Sequence, residues 1–221
     1  LSVMTEEDIW LKSLQAEYRR LNPKLRVRHF PYSENALPKG PDPAWQREMG
    51  ANRETRAPLQ NFTASDSPAY PPDANSSIGP EHIMNTINAF YTIYNRAGNV
   101  VAGPTEINKL FFGLDGAENN DGDPIVLYDE QAERWIVAEF SISSTNNFML
   151  IAVSTTSDPT GTWYKYSFAV AEVPDYEKIG IWRDGYYMGT NTHGAYDIYV
   201  FDRASMLQGL PAQMVSFDNS W

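Results

Sequence analysis

The sequence predicts an all-β fold made of β-propeller blades, preceded by a helix and an extended segment. Asp73, Asp123 and Asp175 stand 50 and 52 residues apart, and each precedes a similar stretch of strand-forming and turn residues. Repeats of about 40–50 residues that hold four short antiparallel strands are typical of propeller blades. We therefore expect about three four-stranded repeats of about 51 residues, which start near these aspartates.

The same period recurs in the strand patterns that follow the aspartates. Residues 83–88, 135–140 and 186–191 each form a run with strand-forming side chains, and the starts of these runs are 52 and 51 residues apart. Asn88 and Asn191 fall at the same place in the first and third copies. Runs rich in Val, Ile, Tyr and Trp between clusters of Gly, Asn, Asp and Pro predict strands.

A second motif supports the repeat. Residues 94–97 read Tyr-Asn-Arg-Ala, and residues 201–204 read Phe-Asp-Arg-Ala. An ordinary β-sandwich with similar hairpins is the alternative. Three separate sets of residues with one period favour the propeller.

The chain is expected to divide near residue 66, into a leading part (1–66) and the repeats (67–221). Within the leading part, residues 5–21 are predicted to form one helix, because Thr5 is a suitable N-cap and Asp8 stands where the acid of a capping box would lie. The apolar residues at helical spacing are Leu11, Leu14, Tyr18 and Leu21.

Residues 22–66 are predicted to form an extended segment, because prolines and polar residues dominate from Pro31 onward. Two interpretations remain open: a flexible pro-region, or a segment that lies along the repeats and is ordered by them. Phe30 and Trp45 favour packing, because large aromatic side chains are costly to leave in water.

Three repeats are fewer than the four to eight blades of known propellers. The chain is therefore expected to be the remainder or portion of a longer protein, or to be completed by another chain in a surface complex.

Composition and charge narrow the classes of partner. The chain has 221 residues, 42% of them hydrophobic, a net charge of −11 and no cysteine. Nucleic acid is excluded as an expected partner, because its binding depends on phosphate neutralisation by Lys and Arg. The absence of cysteine removes disulfides and thiolate metal sites. No run of eighteen apolar residues is present, so direct membrane insertion is not expected.

Several segments carry a resemblance to a known group of proteins. They are residues 71–82 (with Pro-Pro-Asp and Ile-Gly-Pro-Glu-His), 120–135 and 152–161. Over about residues 68–200 the chain resembles large bacterial secreted and cell-surface proteins that have a predicted propeller domain. The resemblance implies an extracellular or cell-surface location and no particular activity. Residues 157–163 also resemble, more distantly, propeller glycoside hydrolases and the Asp-boxes of sialidases, which are structural turns.

The three aspartates are the first candidate site. Propeller geometry would place Asp73, Asp123 and Asp175 around one end of the central channel, near the start of each innermost strand. Such carboxylates repel one another unless they are protonated or neutralised by a cation, and Ca²⁺ suits a ring of oxygen ligands. The favoured interpretation is that each aspartate caps its own turn. Metal binding and catalysis are the alternatives.

Catalysis would take the form of glycoside hydrolysis, which needs two carboxylates about 5–10 Å apart. Asp73 with Asp123 or Asp175 would supply them, and Glu139 would serve as the acid. An isolated acid on a strand usually faces solvent, so Glu139 is expected to be exposed.

The densest run of oxygen ligands is the loop 115–123, and Ca²⁺ is the one cofactor predicted; no organic cofactor is expected. The candidate ligands are Asp115, Glu118, Asn119, Asp121 and Asp123. The loop does not follow the EF-hand pattern, since Tyr128 stands where that pattern requires a glutamate. A plain turn of Asn, Asp and Gly is the alternative.

Four aromatic residues, Trp135, Trp182, Tyr186 and Tyr187, are candidates for stacking on a sugar. Packing between blades is the alternative role. The function predicted from the sequence is an extracellular binding or adhesion scaffold, with Ca²⁺ as the candidate stabilising ion, whose partner is a glycan or a cell-surface protein. The alternative function is a carbohydrate-active hydrolase.

Overall fold

The computed structural model describes residues 60–66, 69–142, 146–191 and 198–217. All of them belong to one unit of the chain, residues 59–221. The predicted helix over 5–21 and most of the predicted extended segment lie outside the described residues.

The described residues form three four-stranded antiparallel sheets, in each of which the strands are ordered as in the sequence. Sheet 1 contains β1 (Asn75–Ile78), β2 (His82–Ile87), β3 (Phe90–Asn95) and β4 (Val100–Glu106). The turn between β3 and β4 is closed by the side chain of Asn95, whose Oδ1 accepts hydrogen bonds from two backbone N–H groups of the turn. A 3₁₀ helix follows β4 directly.

Sheet 2 contains β5 (Ile125–Asp129), β6 (Arg134–Ile142), β7 (Asn147–Ser154) and β8 (Trp163–Val170). Its middle strands are apolar on both faces, which is the pattern of a sheet covered on both sides.

Sheet 3 contains β9 (Lys178–Ile181), β10 (Tyr186–Gly189), β11 (Ile198–Phe201) and β12 (Met214–Phe217). A single-turn helix, α1 (Arg203–Met206), stands between the last two strands. The side chain of Asp202 caps it by accepting a hydrogen bond from the Ser205 N–H.

These sheets confirm the all-β fold and the three predicted four-stranded repeats. The strand register also confirms the predicted equivalence of Ile83, Trp135 and Tyr186, because each opposes the fourth residue of the strand before it in the same hairpin. The alignment of the aspartates needs one correction. Asp73 and Asp123 lie two residues before β1 and β5, whereas Asp175 lies three residues before β9.

The backbone conformation shows the same one-residue difference. Asp73 and Asp123 adopt positive φ angles of 38° and 47°, and the matching angle in the third repeat, 56°, belongs to Tyr176. Asp175 therefore approaches the same end of the sheets from the neighbouring backbone position.

The core lies on the two faces of sheet 2. One face of β6 and β7 packs with Tyr186, Met188 and Phe201 of sheet 3 in one buried cluster. The other face, which carries Trp135, packs with Met84 of sheet 1 in a second cluster. The sheets therefore form an open series with sheet 2 in the middle, and the first strands β1, β5 and β9 contact one another in turn.

The described part of the predicted extended segment, residues 60–66, packs on the outer face of sheet 1. The ring of Phe62 lies 5.3 Å from the ring of Tyr94, centroid to centroid. Ser65 Oγ donates to Thr92 Oγ1 over 2.7 Å and lies 2.9 Å from Tyr94 Oη. In these residues the segment lies along the repeats, as one of the two interpretations expected.

Candidate functional site

Asn88 brings together two of the predicted aspartates, although they belong to different sheets. Its Nδ2 donates to Asp73 Oδ2 over 2.8 Å and to Asp123 Oδ1 over 3.2 Å. Its Oδ1 accepts the backbone N–H of Asp123 over 2.6 Å. Asp73 and Asp123 are therefore partners in one network between sheets 1 and 2, and the prediction that each aspartate only caps its own turn is wrong for this pair.

The local backbone explains how this contact forms. Positive φ angles at Asp73 and Asp123 turn the chain sharply just before the first strand of each sheet, and aspartate tolerates this conformation better than most residues. Gly122 precedes Asp123 with a φ of +98°, and a Cβ added there would overlap Asn88 Oδ1. Only glycine therefore allows Asn88 to reach this turn without displacement.

The electrostatic environment of Asp123 reflects its neighbours. Burial raises the pKa of Asp123 to about 6, and the hydrogen bond and charge of Asp73, together with the charge of Asp175, act in the same direction. The hydrogen bond from Asn88 opposes the rise. Aspartates from all three repeats thus influence one carboxyl group.

Two buried glutamates extend this group. Glu139 is 0% exposed and Glu177 is 1% exposed, and neither carboxyl group receives a hydrogen bond from another residue. Burial raises the pKa of Glu139 to about 9, and the charges of Asp121 and Glu177 add to the rise. Glu139 was expected to face solvent. That expectation is wrong, because Glu139 continues the buried row of Trp135 and Val137 on β6.

Glu177 connects the buried glutamate to the aspartates. Burial raises the pKa of Glu177 to about 8, and the charges of Asp123 and Asp175 contribute to the rise. The backbone of Glu177 itself and the charge of Lys178 oppose it. The Nζ of Lys178 donates to the backbone oxygen of Glu177. We call the following five residues the carboxylate cluster: Asp73, Asp123, Glu139, Asp175 and Glu177.

Sequence reasoning found four members of the carboxylate cluster and missed Glu177 and the bridging Asn88. The sequence did carry a signal for Asn88, because an asparagine recurs at the equivalent position 191. In the structure the two residues make the same backbone bond: the Asn88 N–H donates to Pro72 O, and the Asn191 N–H donates to Asp175 O. Glu177 gave no comparable signal, because its burial depends on packing between distant parts of the chain.

The predicted calcium loop divides its residues between different partners. Asn119 Nδ2 donates to Ile142 O, and Asp121 Oδ2 accepts from the Ile142 N–H over 2.6 Å. Asp123 turns instead to Asn88. Asp115 uses its backbone oxygen to bind Ser167 Oγ. Among the described residues, no group of three or more His, Asp or Glu is arranged to hold a metal ion.

The four predicted aromatic residues do not form one platform. Trp135 and Tyr186 are fully buried, whereas Trp182 and Tyr187 are exposed. Trp135 Nε1 donates to Ser157 O, and the Trp135 ring packs edge-on against Tyr128. Packing between sheets is therefore the role of Trp135 and Tyr186.

A buried ion pair joins sheets 2 and 3. Arg203 Nε donates to Asp129 Oδ2 over 2.7 Å, and Arg203 Nη2 donates to Asp129 Oδ1 over 3.0 Å. Tyr186 Oη donates to the same carboxylate. Burial alone would raise the pKa of Asp129, but the bonds from Arg203 outweigh it, and the pKa of Asp129 lies below its usual value.

A shallow groove lies at the opposite ends of β1 and β5 from Asp73 and Asp123, and none of its lining residues belongs to the carboxylate cluster. Its lining residues are Ile78, Gly79, Pro80, Arg96, Tyr128, Glu130 and Glu133.

Comparison of the chain with protein-family models, curated proteins and solved structures finds no match. Among the described residues, no helix has the length and apolar character needed to cross a membrane.

Proposed function

We propose that the chain forms part of a β-propeller that serves as an extracellular binding or adhesion scaffold, and that Ca²⁺ stabilises it at the carboxylate cluster. The observation that carries the proposal is the meeting of Asp73 and Asp123 across two sheets, beside two buried glutamates that no other residue hydrogen-bonds.

The arrangement of the sheets supports the propeller. Each sheet has four antiparallel strands, sheet 2 packs on both neighbours, and the first strands contact one another in series. In a propeller the first strand of each blade lines the central axis, so neighbouring first strands meet in this way.

The charge of the cluster supports the cation. Ca²⁺ takes six to eight oxygen ligands and tolerates irregular geometry. Burial of a carboxylate without a partner is costly, so Glu139 and Glu177, whose pKa values are raised to about 9 and about 8, hold their protons at neutral pH unless a cation replaces them. A cation at Asp73 and Asp123 would neutralise carboxylates that precede sheets 1 and 2 and stabilise the packing of these two sheets.

The geometry favours binding over hydrolysis. Asp73 and Asp123 share a hydrogen bond, whereas the two carboxylates of a glycosidase stand about 5 Å or more apart. Glu139, the predicted acid, has no exposed surface through which a glycan could reach it.

A calcium titration tests the proposal. The melting temperature of the chain is followed by circular dichroism at neutral pH, in a chelator, in Mg²⁺ and in rising Ca²⁺. A ligand at about 100 times its Kd stabilises by about 2.7 kcal/mol, which predicts a rise of about 5–10 °C.

Two variants make the titration specific. Asp123→Asn removes a charge from the cluster and should abolish most of the Ca²⁺ effect. Glu130→Gln removes the same charge from an exposed turn at the other end of sheet 2 and should retain it. A melting temperature that is independent of Ca²⁺ in the unaltered chain would refute the cation site. Binding of the Ca²⁺-loaded chain to arrayed glycans and to cell-surface protein extracts then tests the scaffold role.

A further inference from the structure

The outer face of sheet 3 is apolar and exposed. Tyr187, Ile198, Val215 and Phe217 point away from sheet 2 and are 37%, 40%, 52% and 51% exposed. Adjacent strands contribute to this face in register, since Tyr187 opposes Val200 and Ile198 opposes Phe217. These side chains therefore form one continuous surface, which we call the outer face of sheet 3.

The equivalent positions of sheet 2 are buried by a neighbouring sheet. Ile136 opposes Val153 in sheet 2 as Tyr187 opposes Val200 in sheet 3. Ile136 and Val153 are 1% and 0% exposed, because they lie in the cluster that packs sheet 2 on sheet 3. The repeat thus has a face that is built to be covered by the next sheet, and in sheet 3 that face is open.

The outer face of sheet 1 has a different character. Asn85, Thr92 and Tyr94 are buried there, and Thr92 and Tyr94 bond to Ser65. This face carries polar groups and is covered in part by residues 60–66. The apolar exposed face therefore belongs to sheet 3 alone among the three described sheets.

We propose that the outer face of sheet 3 packs against a fourth four-stranded antiparallel sheet of the same repeat type. This inference deepens the propeller part of the proposed function and does not depend on the cation. The existing interface defines the chemistry of the partner sheet. Sheet 3 covers sheet 2 with Tyr186, Met188, Tyr199 and Phe201, so the fourth sheet presents aromatic and long aliphatic side chains.

The existing interface also contains an ion pair, in which Arg203 of sheet 3 reaches Asp129, which ends the first strand of sheet 2. By strand register the matching position in sheet 3 is Trp182, so the outer face of sheet 3 does not repeat this ion pair.

A fusion chain tests this inference. A second copy of residues 171–217 is attached after Phe217 in place of residues 218–221. It brings the natural link between sheets, the covering side chains and its own Arg203. Trp182 and Tyr187 are replaced by phenylalanine in the added copy only. Oxidation measured at Trp182 and Tyr187 then comes from the original sheet 3 alone. Hydroxyl-radical footprinting in a chelator then measures their oxidation rates.

We expect the oxidation rate of the original Tyr187 to fall at least several-fold in the fusion chain, toward the rate of the buried Trp135. Ile198→Lys with Val215→Lys in the original copy should restore the rate, whereas Val100→Lys with Val101→Lys on the exposed β4 should not. An unchanged rate, or an added copy that stays sensitive to protease, overturns the inference. A third result also overturns it: in the unfused chain, Tyr187 is protected from oxidation and the chain has the mass of a dimer. The outer face of sheet 3 would then pair with a second copy of the chain. The chelator separates these results from the calcium test.

Discussion

The replacement Glu139→Gln separates the buried glutamate's structural role from its charge. Gln has the shape of a protonated Glu and carries no titratable group. Glu139 keeps its proton in the folded chain up to about pH 9, whereas the unfolded chain loses it near 4.5. Because the folded state binds the extra proton, Glu139 stabilises the fold most below pH 4.5, and its contribution falls as pH rises from 4.5 toward 9.

The magnitude follows from the width of this interval. Each unit between the unfolded pKa of 4.5 and the working pH costs about 1.4 kcal/mol, so Glu139 lowers the free energy of unfolding at pH 7 by about 3 kcal/mol. Glu139→Gln should therefore have little effect near pH 4 and should stabilise the chain by up to about 3 kcal/mol at pH 7.

Urea unfolding in a chelator at the two pH values measures this difference. Glu177→Gln should behave similarly, because the pKa of Glu177 is raised to about 8 by its burial. Glu130→Gln, in an exposed turn, should change stability about equally at both pH values. Equal destabilisation by Glu139→Gln at both pH values would refute the reasoning, since it would mean that Glu139 is ionised and paired in the fold.

Two further predictions concern contacts between sheets. Arg203→Met should lower the free energy of unfolding by about 3–5 kcal/mol in urea titrations, because it leaves the buried carboxylate of Asp129 without a positively charged partner. The double variant with Asp129→Leu should lose less than the sum of the two single variants, and additive losses would contradict the pairing. Gly122→Ala should destabilise the chain by about 1–3 kcal/mol more than Gly113→Ala does. Both glycines have positive φ angles, so the backbone strain of alanine is common to both variants. Only a Cβ at Gly122 would meet Asn88, whereas nothing lies within 4 Å of a Cβ at Gly113. Equal losses in thermal or urea unfolding would show that the contact with Asn88 adds nothing.

The sequence was sufficient to predict the sheets because strand patterns are local. The run of strand-forming residues that begins at Trp135, and the turns between such runs, depend on residues a few positions apart. The shift of Asp175 relative to Asp123 was not predictable, because the link before β9 (residues 171–177) is much shorter than the link before β5 (residues 107–124). Loop lengths vary with little energetic cost, so an interval in the sequence locates a repeat only to within a residue or two.

The candidate site was harder to predict because its properties arise from packing between sheets. Asp73 and Asp123 were identified from their spacing, but the amide of Asn88 that joins them was not. Glu139 was proposed as the acid and was expected to face solvent, but both faces of its strand are buried. A lone glutamate in a buried row is rare, so the expectation of solvent exposure follows the usual behaviour of acids.

The packing of the sheets and the charge of the carboxylate cluster are physically coupled. Asp73 belongs to the link before sheet 1 and Asp123 to the link before sheet 2, so the separation of their carboxyl groups is set by how the two sheets pack. Any ion that binds both groups must therefore favour the packed arrangement, and by linkage the packed arrangement must favour the ion. The acidic groups of the three repeats repel one another, and the apolar cores between the sheets supply the stability that holds these groups close together. A cation bound between the carboxylates would replace their repulsion with an attractive contact between sheets.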